Sequence, residues 1–301
     1  ISHIVEHMMF KGTKKFGKGS ISKLISSHGG IFNAFTSNDV TVYYELIPKN
    51  KIDLVFDIES ERMHKCIFDR AEYESELKVI REERKQRTDN QARGIRREEL
   101  NTLLYKNHPY RNPVIGWEHD LWKIDRDMAY EYYKKYYTPN NATLVLVGDF
   151  QTEEILKKVK KYFGKIPKGP ELKEIDFFRV PQSGKKTLTF KHSDILNPSI
   201  QLYYQAPTRF HEDGPALFVL GKILCDKSSS SRLFSRLVRK EKQCDVVGGG
   251  LGFTKDPSTF NIIAKITPEG KIDSVEKVIL EEIEVMKNEP VKDEELTRII
   301  N

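Results

Sequence analysis

The chain opens on an apolar stretch in which Ile4, Val5, Met8, Met9 and Phe10 take helical spacing while His3, Glu6 and His7 interrupt it. Residues 1–10 therefore predict the end of a buried helix. Gly12, Gly17 and Gly19 break the backbone after it. Ser20 is a suitable N-cap for a short helix over 20–27, which His28-Gly29-Gly30 ends. Strand-like runs at 31–37 and 40–47, joined through Asn38-Asp39, predict a β-hairpin. Helical spacing resumes at 51–66, 69–88, 91–105, 125–137 and 152–163, and a short buried strand is expected at 143–147. Beyond it come strands at 186–191 and 199–205, helices at 214–224 and 231–239, strands at 246–253 and 259–266, and a helix at 272–287. A further helix starts at Asp293.

This order predicts an α+β fold of two similar domains, each with helices packed on a largely antiparallel sheet. The expected boundaries are an N-terminal domain at 1–166, a linker at 167–184 marked by Pro167, Pro170 and Pro181, and a C-terminal domain at 185–301. The chain begins on Ile1 inside a helix, without an initiator Met. The expectation is a segment of a longer protein, its first domain lacking an N-terminal portion and its second incomplete.

Composition narrows the function classes. The 301 residues are 38% hydrophobic and 31% charged, ordinary for a globular protein, and no run approaches the ~20 apolar residues of a membrane span. Net charge is +6, but the basic stretch 78–97 also carries Glu82, Glu83 and Asp89. A solvated helix face explains it, and no nucleic-acid partner is expected. Cys66, Cys225 and Cys244 form neither a C-x-x-C site nor a disulfide framework.

Chemistry concentrates at the first helix. His3 and His7 stand four apart and share a helix face, so two imidazoles can reach one metal ion while Glu6 addresses a water beside it. H-x-x-E-H reverses the order of the H-E-x-x-H zinc-protease signature. Neutral imidazoles bind Zn²⁺, the metal lowers the pKa of water, and a neighbouring carboxylate takes the proton and later returns it. The bland alternative is a chance pattern of surface histidines, but an apolar helix would bury them and leave them needing a partner. A third protein ligand is still required. Glu76 and Glu83, two turns apart on one helix, are the candidates.

With these residues in hand the chain resembles the pitrilysin/insulinase-type zinc peptidases, the group that includes mitochondrial processing peptidase. His3 to Thr13 resembles their H-x-x-E-H-M-x-F-x-G-T signature, Gly29 to Thr36 their G-G-x-x-N-A-x-T strand, and Glu76 to Glu83 their E-x-x-V-I-x-x-E run. The resemblance implies that His3, His7 and Glu83 hold one Zn²⁺ and that Glu6 is the general base. It implies that Glu76 is a supporting carboxylate that orients a ligand. Glu82 is the rival to Glu83, but one residue turns a side chain ~100° around a helix. Asn33 and Ala34 would lie on an edge strand that pairs with an extended peptide.

In the second half Ser230 to Phe234 resembles an S-S-R-L-[FY] segment, which brings Arg232 into substrate binding. The tyrosine that often follows is absent from Lys242-Gln243-Cys244-Asp245-Val246. The implied function is a zinc-dependent endopeptidase acting on extended peptides or precursor segments, working as a homodimer or with a related subunit. The expected compartment is the bacterial periplasm. The competing expectations are a non-catalytic scaffold or peptide-holding subunit of the same fold, and a metal-dependent hydrolase of other substrates.

Overall fold

The computed structural model describes residues 1–173, 177, 181–227, 230–256 and 258–300, so parts of the expected linker, at 174–176 and 178–180, and Asn301 lie outside the described residues. The chain divides into two compact units, 1–180 and 181–301. Each layers helices on antiparallel strands, an α+β architecture.

In the first unit, helix α1 (Ser2–Met8) is followed by α2 (Ser20–Ser27) and a hairpin of β1 (Ile31–Thr36) and β2 (Thr41–Leu46). The hairpin pairs Ile31 with Leu46 through to Thr36 with Thr41. Then come α3 (Ile52–Lys65), α4 (Arg70–Arg84), α5 (Ala92–Leu104), α6 (Glu118–Leu121), α7 (Arg126–Tyr136) and α8 (Thr152–Phe163). Helix α1 packs against α4, α7 and β1. Its Ile4, Val5, Met8 and Met9 join Tyr73, Leu77 and Ile80 of α4 and Ala129 and Tyr133 of α7 in one core. The apolar side of the opening helix thus fixes it against α4, which positions the polar side of both.

Helix α4 is N-capped by Asp69, whose carboxylate accepts from the Glu72 N–H. The expected helix over 69–88 is realised in two parts. After Arg84 the backbone widens into a π-type turn at Lys85–Asp89. Arg62 of α3 lies in the core at 1% exposure, its guanidinium 2.6 Å from Glu59 and 3.3 Å from Glu45.

Two expected strands are corrected. Residues 143–147 form no ladder with any described strand, and all but the half-buried Leu146 are exposed, with Val147 at 94% and Val145 at 74%. Residues 186–191 likewise pair with nothing described. Alternating apolar residues make a strand only where a neighbouring backbone completes the hydrogen bonds.

The second unit is built on β3 (Ser199–Ala206), α9 (Gly214–Cys225), β4 (Cys244–Leu251), β5 (Ser258–Ile266), α10 (Ile272–Asn288) and α11 (Asp293–Ile300). Its sheet is antiparallel in the order β3-β5-β4. Val247, Ile262, Ala264 and Ile266 of the sheet pack with Leu224, Leu237, Val275 and Ile279. The helix expected at 231–239 is mostly a π-type turn at Phe234–Lys240.

Candidate metal centre

The polar side of α1 faces the polar side of α4. His3 Nε2 lies 3.8 Å and His7 Nε2 3.7 Å from the same oxygen, Glu83 Oε2. Donor atoms of His3, His7 and Glu83 all fall within 4.8 Å of one another, and the two imidazole rings meet edge to face at 4.8 Å. In a tetrahedral zinc site, donors at ~2.0–2.1 Å from the ion lie about 3.3 Å apart. A small contraction of the three side chains therefore suits such an ion.

His3 Nδ1, the ring nitrogen other than the one facing Glu83, is buried with no hydrogen-bond partner. Two further observations fit a cation here. Burial, then the neighbouring His7 and Arg87, lower the His3 imidazole to about 4, which keeps it neutral and available as a ligand near neutral pH. The donor set of two imidazoles and one carboxylate is one that zinc accepts, with a position left open.

Two of the three ligand candidates, His7 and Glu83, are held from behind. His7 Nδ1 lies 3.0 Å from Glu76 Oε2, and Lys11 Nζ lies 2.5 Å from the other Glu76 oxygen. Burial raises the Glu76 carboxyl, but the hydrogen bonds of Lys11 and His7 outweigh it and hold the group below its usual range. An ionised Glu76 accepts the Nδ1 proton of His7 and so leaves Nε2 as the lone-pair nitrogen facing Glu83. Glu83 Oε1 is engaged by Arg87 at 2.5 Å, which commits Oε2 to the histidines. Glu82 points elsewhere: its side chain is 61% exposed and pairs with Lys85.

Glu6 is 8% exposed and accepts a short hydrogen bond from Thr36 Oγ1 at the end of β1. Along β1 exposure alternates, so Phe32, Ala34 and Thr36 share the inner side while Asn33 faces out. The Asn33 side chain accepts from the Ala34 N–H. Among the described residues β1 has one strand neighbour, β2, so its other edge carries no strand. Arg232 lies in the second unit, where its guanidinium makes a two-pronged bond to Glu295 of α11 at 2.6 and 3.0 Å.

Lys11, Arg87 and the Thr36–Glu6 contact were not singled out from sequence. The period-two pattern of β1 carried the signal for Thr36, because it places Thr36 on the same side as Ala34. Lys11 and Arg87 look like ordinary surface cations until their partners are known.

Known proteins bear on this geometry. Residues 1–118 match the family described as insulinase, peptidase family M16, and residues 123–301 match the peptidase M16 inactive domain. The zinc protease PqqE of Helicobacter pylori is 28% identical over 99% of the chain and 68% of its own length. An uncharacterised zinc protease of Bacillus subtilis, YmxG, is 27% identical over 98% of the chain and 70% of its own length. A crystal structure of a protease from Helicobacter pylori superposes with a TM-score of 0.91 at 29% identity, covering 99% of the chain and 72% of that protein. The periplasmic protease PqqL of Escherichia coli shares the fold, with a TM-score of 0.75 at 21% identity, covering 99% of the chain and 34% of that protein. The match over 123–301 alone spans more than half of the sequence, and the chain belongs to the M16 peptidase family.

Proposed function

We propose that the chain is a zinc-dependent endopeptidase that hydrolyses extended peptides or processes precursor segments. The observation that carries this reading is the meeting of His3, His7 and Glu83, from two separate helices, on one small volume. In it, His3, His7 and Glu83 hold the ion, and Glu76, backed by Lys11, fixes the tautomer and angle of His7. Bound Zn²⁺ supplies Lewis acidity there, which brings the ionisation of water toward neutral pH and polarises a carbonyl.

The chain's own residues do the rest. Water adds to the peptide carbonyl carbon, and Glu6 accepts the proton released. Glu6 then returns that proton to the leaving nitrogen as the C–N bond breaks, giving a carboxylic acid and an amine, and the second proton of water passes from the acid to the amine. The outer edge of β1 at Asn33 and Ala34 offers main-chain hydrogen bonds to an extended backbone, which takes the place of the Asn33 side chain at the Ala34 N–H and favours conformation over side-chain identity. Arg232 is assigned to substrate binding, and a homodimer or a pair with a related subunit is the proposed assembly. The periplasm is the proposed compartment. Among the described residues no helix is long and apolar enough to cross a membrane.

A second reading, a non-catalytic peptide-holding subunit, is favoured by two observations: residues 123–301 match a domain described as inactive, and no tyrosine occurs at 242–246. Glu6→Gln separates the two. Under the enzyme reading, wild-type protein cleaves an unfolded peptide in a chelator-reversible way, and E6Q abolishes cleavage while zinc content is unchanged. Equal absence of cleavage in wild type and E6Q supports the holding subunit.

A further inference from the structure

We propose that Thr36 is a positioning residue for Glu6, and that a half-buried run of hydroxyls on Thr41, Tyr137 and Tyr43 holds Thr36 in the donating sense. The inference rests on the reading of Glu6 as the proton acceptor. Thr36 Oγ1 donates to Glu6 Oε2 and lies 3.1 Å from Thr41 Oγ1, its cross-strand neighbour. The Tyr137 hydroxyl, just past α7, comes near Thr41 and lies 2.9 Å from the Tyr43 hydroxyl of β2. Four hydroxyls thus gather behind one carboxylate, as the pairs Thr36–Thr41 and Tyr137–Tyr43.

The direction of the run follows from counting protons. A hydroxyl carries one, and an ionised carboxylate only accepts. Thr36 gives its proton to Glu6, so Thr41 must give its own to Thr36. Tyr137 then donates to Thr41, and Tyr43 donates to Tyr137. Burial first, among the causes in each case, raises both phenols, Tyr137 to about 12 and Tyr43 well above its ordinary value, so both remain proton donors across the working range. Hydrogen bonds aligned this way polarise one another, and the last link gains most.

The consequence at Glu6 is geometric. Oε2 is committed to Thr36, and Oε1 is the oxygen left to take a proton. A Thr36 that served only as a cross-strand partner of Thr41 would stabilise the hairpin and leave turnover unchanged.

Thr36→Val, Thr36→Ser and Tyr137→Phe, made in the full chain and assayed with zinc, test this. Valine keeps the β-branch that suits a strand, and phenylalanine keeps the ring packing of Tyr137. T36V is expected to lower kcat about tenfold to a hundredfold, the range for a hydrogen bond to a charged group, with KM within about twofold. Zinc affinity of the metal-free chain is expected to stay at the wild-type value. T36S should restore kcat to within about threefold, and Y137F should lower it by a smaller factor than T36V. The T36V/Y137F double variant should be no slower than T36V alone, because both cut one chain of bonds.

The inference is overturned by an unchanged kcat in T36V beside an active wild type, by additive losses in the double variant, or by a loss of zinc affinity in T36V. If T36V does not fold, Y137F alone decides: wild-type kcat in it overturns the hydroxyl run. An inactive wild type overturns the peptidase reading itself and this inference with it.

Discussion

His7 Nδ1 lies 3.0 Å from Glu76 Oε2, which turns the other ring nitrogen of His7 toward Glu83. Partners that orient a metal-binding histidine from behind typically change metal affinity 10- to 100-fold when removed. Glu76→Gln is therefore expected to weaken zinc binding by about that factor, and Lys11→Met to weaken it less. Titration of zinc into the metal-free variants reads both. Wild-type affinity in Glu76→Gln would show that the His7–Glu76 contact does not orient the ring.

Arg62 is the most deeply buried charge of the first unit. It answers Glu45 and Glu59 and lies over the rings of Tyr43, at 4.8 Å, and Phe10, at 5.3 Å. Arg62→Ala leaves two carboxylates without their cation in the core. The expected loss of stability is about 3–5 kcal/mol, read from denaturant unfolding of the first unit. A loss below about 1 kcal/mol would mean that the carboxylates find other partners.

Gly12, in the turn that follows α1, takes a positive φ of +98°. A Cβ there would sit 2.3 Å from the Phe16 carbonyl oxygen, the same oxygen that accepts from the Thr13 N–H at 2.7 Å. Gly12→Ala thus faces both backbone strain and a clash with a fixed acceptor. It should cost of the order of 2 kcal/mol and lower the melting temperature. An unchanged melt would show that the turn can rearrange.

In the second unit the bidentate bond from Arg232, opposed by burial, holds the Glu295 carboxyl below its usual range. The folded pKa is thus lower than the unfolded one, and the unfolded state binds more protons. The contribution is present above the ordinary carboxylate value and is lost as pH falls through the folded one. Amide protection in α11, corrected for intrinsic exchange, should fall as pH drops from about 5 toward about 3. Arg232→Met should remove that dependence. If the acid limb persists unchanged in Arg232→Met, another group causes it.

The hairpin and the helices of the first unit other than the four-residue α6 were legible because their apolar residues recur at the period each element buries. The approach of Glu83 to the histidines followed from a motif with fixed spacing. Periodicity gave no warning that Lys85–Asp89 and Phe234–Lys240 widen into π-type turns, since five to seven residues cannot distinguish the two helical periods. The runs at 143–147 and 186–191 carry strand composition but pair with no described strand. Lys11 reaches Glu76, and Thr36 reaches Glu6, across long stretches of sequence. Such contacts depend on how α1 docks on α4 and β1, and no local pattern encodes that docking.

The central claim is that two imidazoles of α1 and one carboxylate of α4 share an ion. Calorimetric titration of Zn²⁺ into the metal-free chain tests it most directly, beside His7→Ala and Glu83→Ala variants whose metal-free melting matches wild type. The account predicts a single tight site in wild type that both substitutions abolish. A wild-type chain that takes up no zinc, or a Glu83→Ala chain that binds as tightly as wild type, would contradict it.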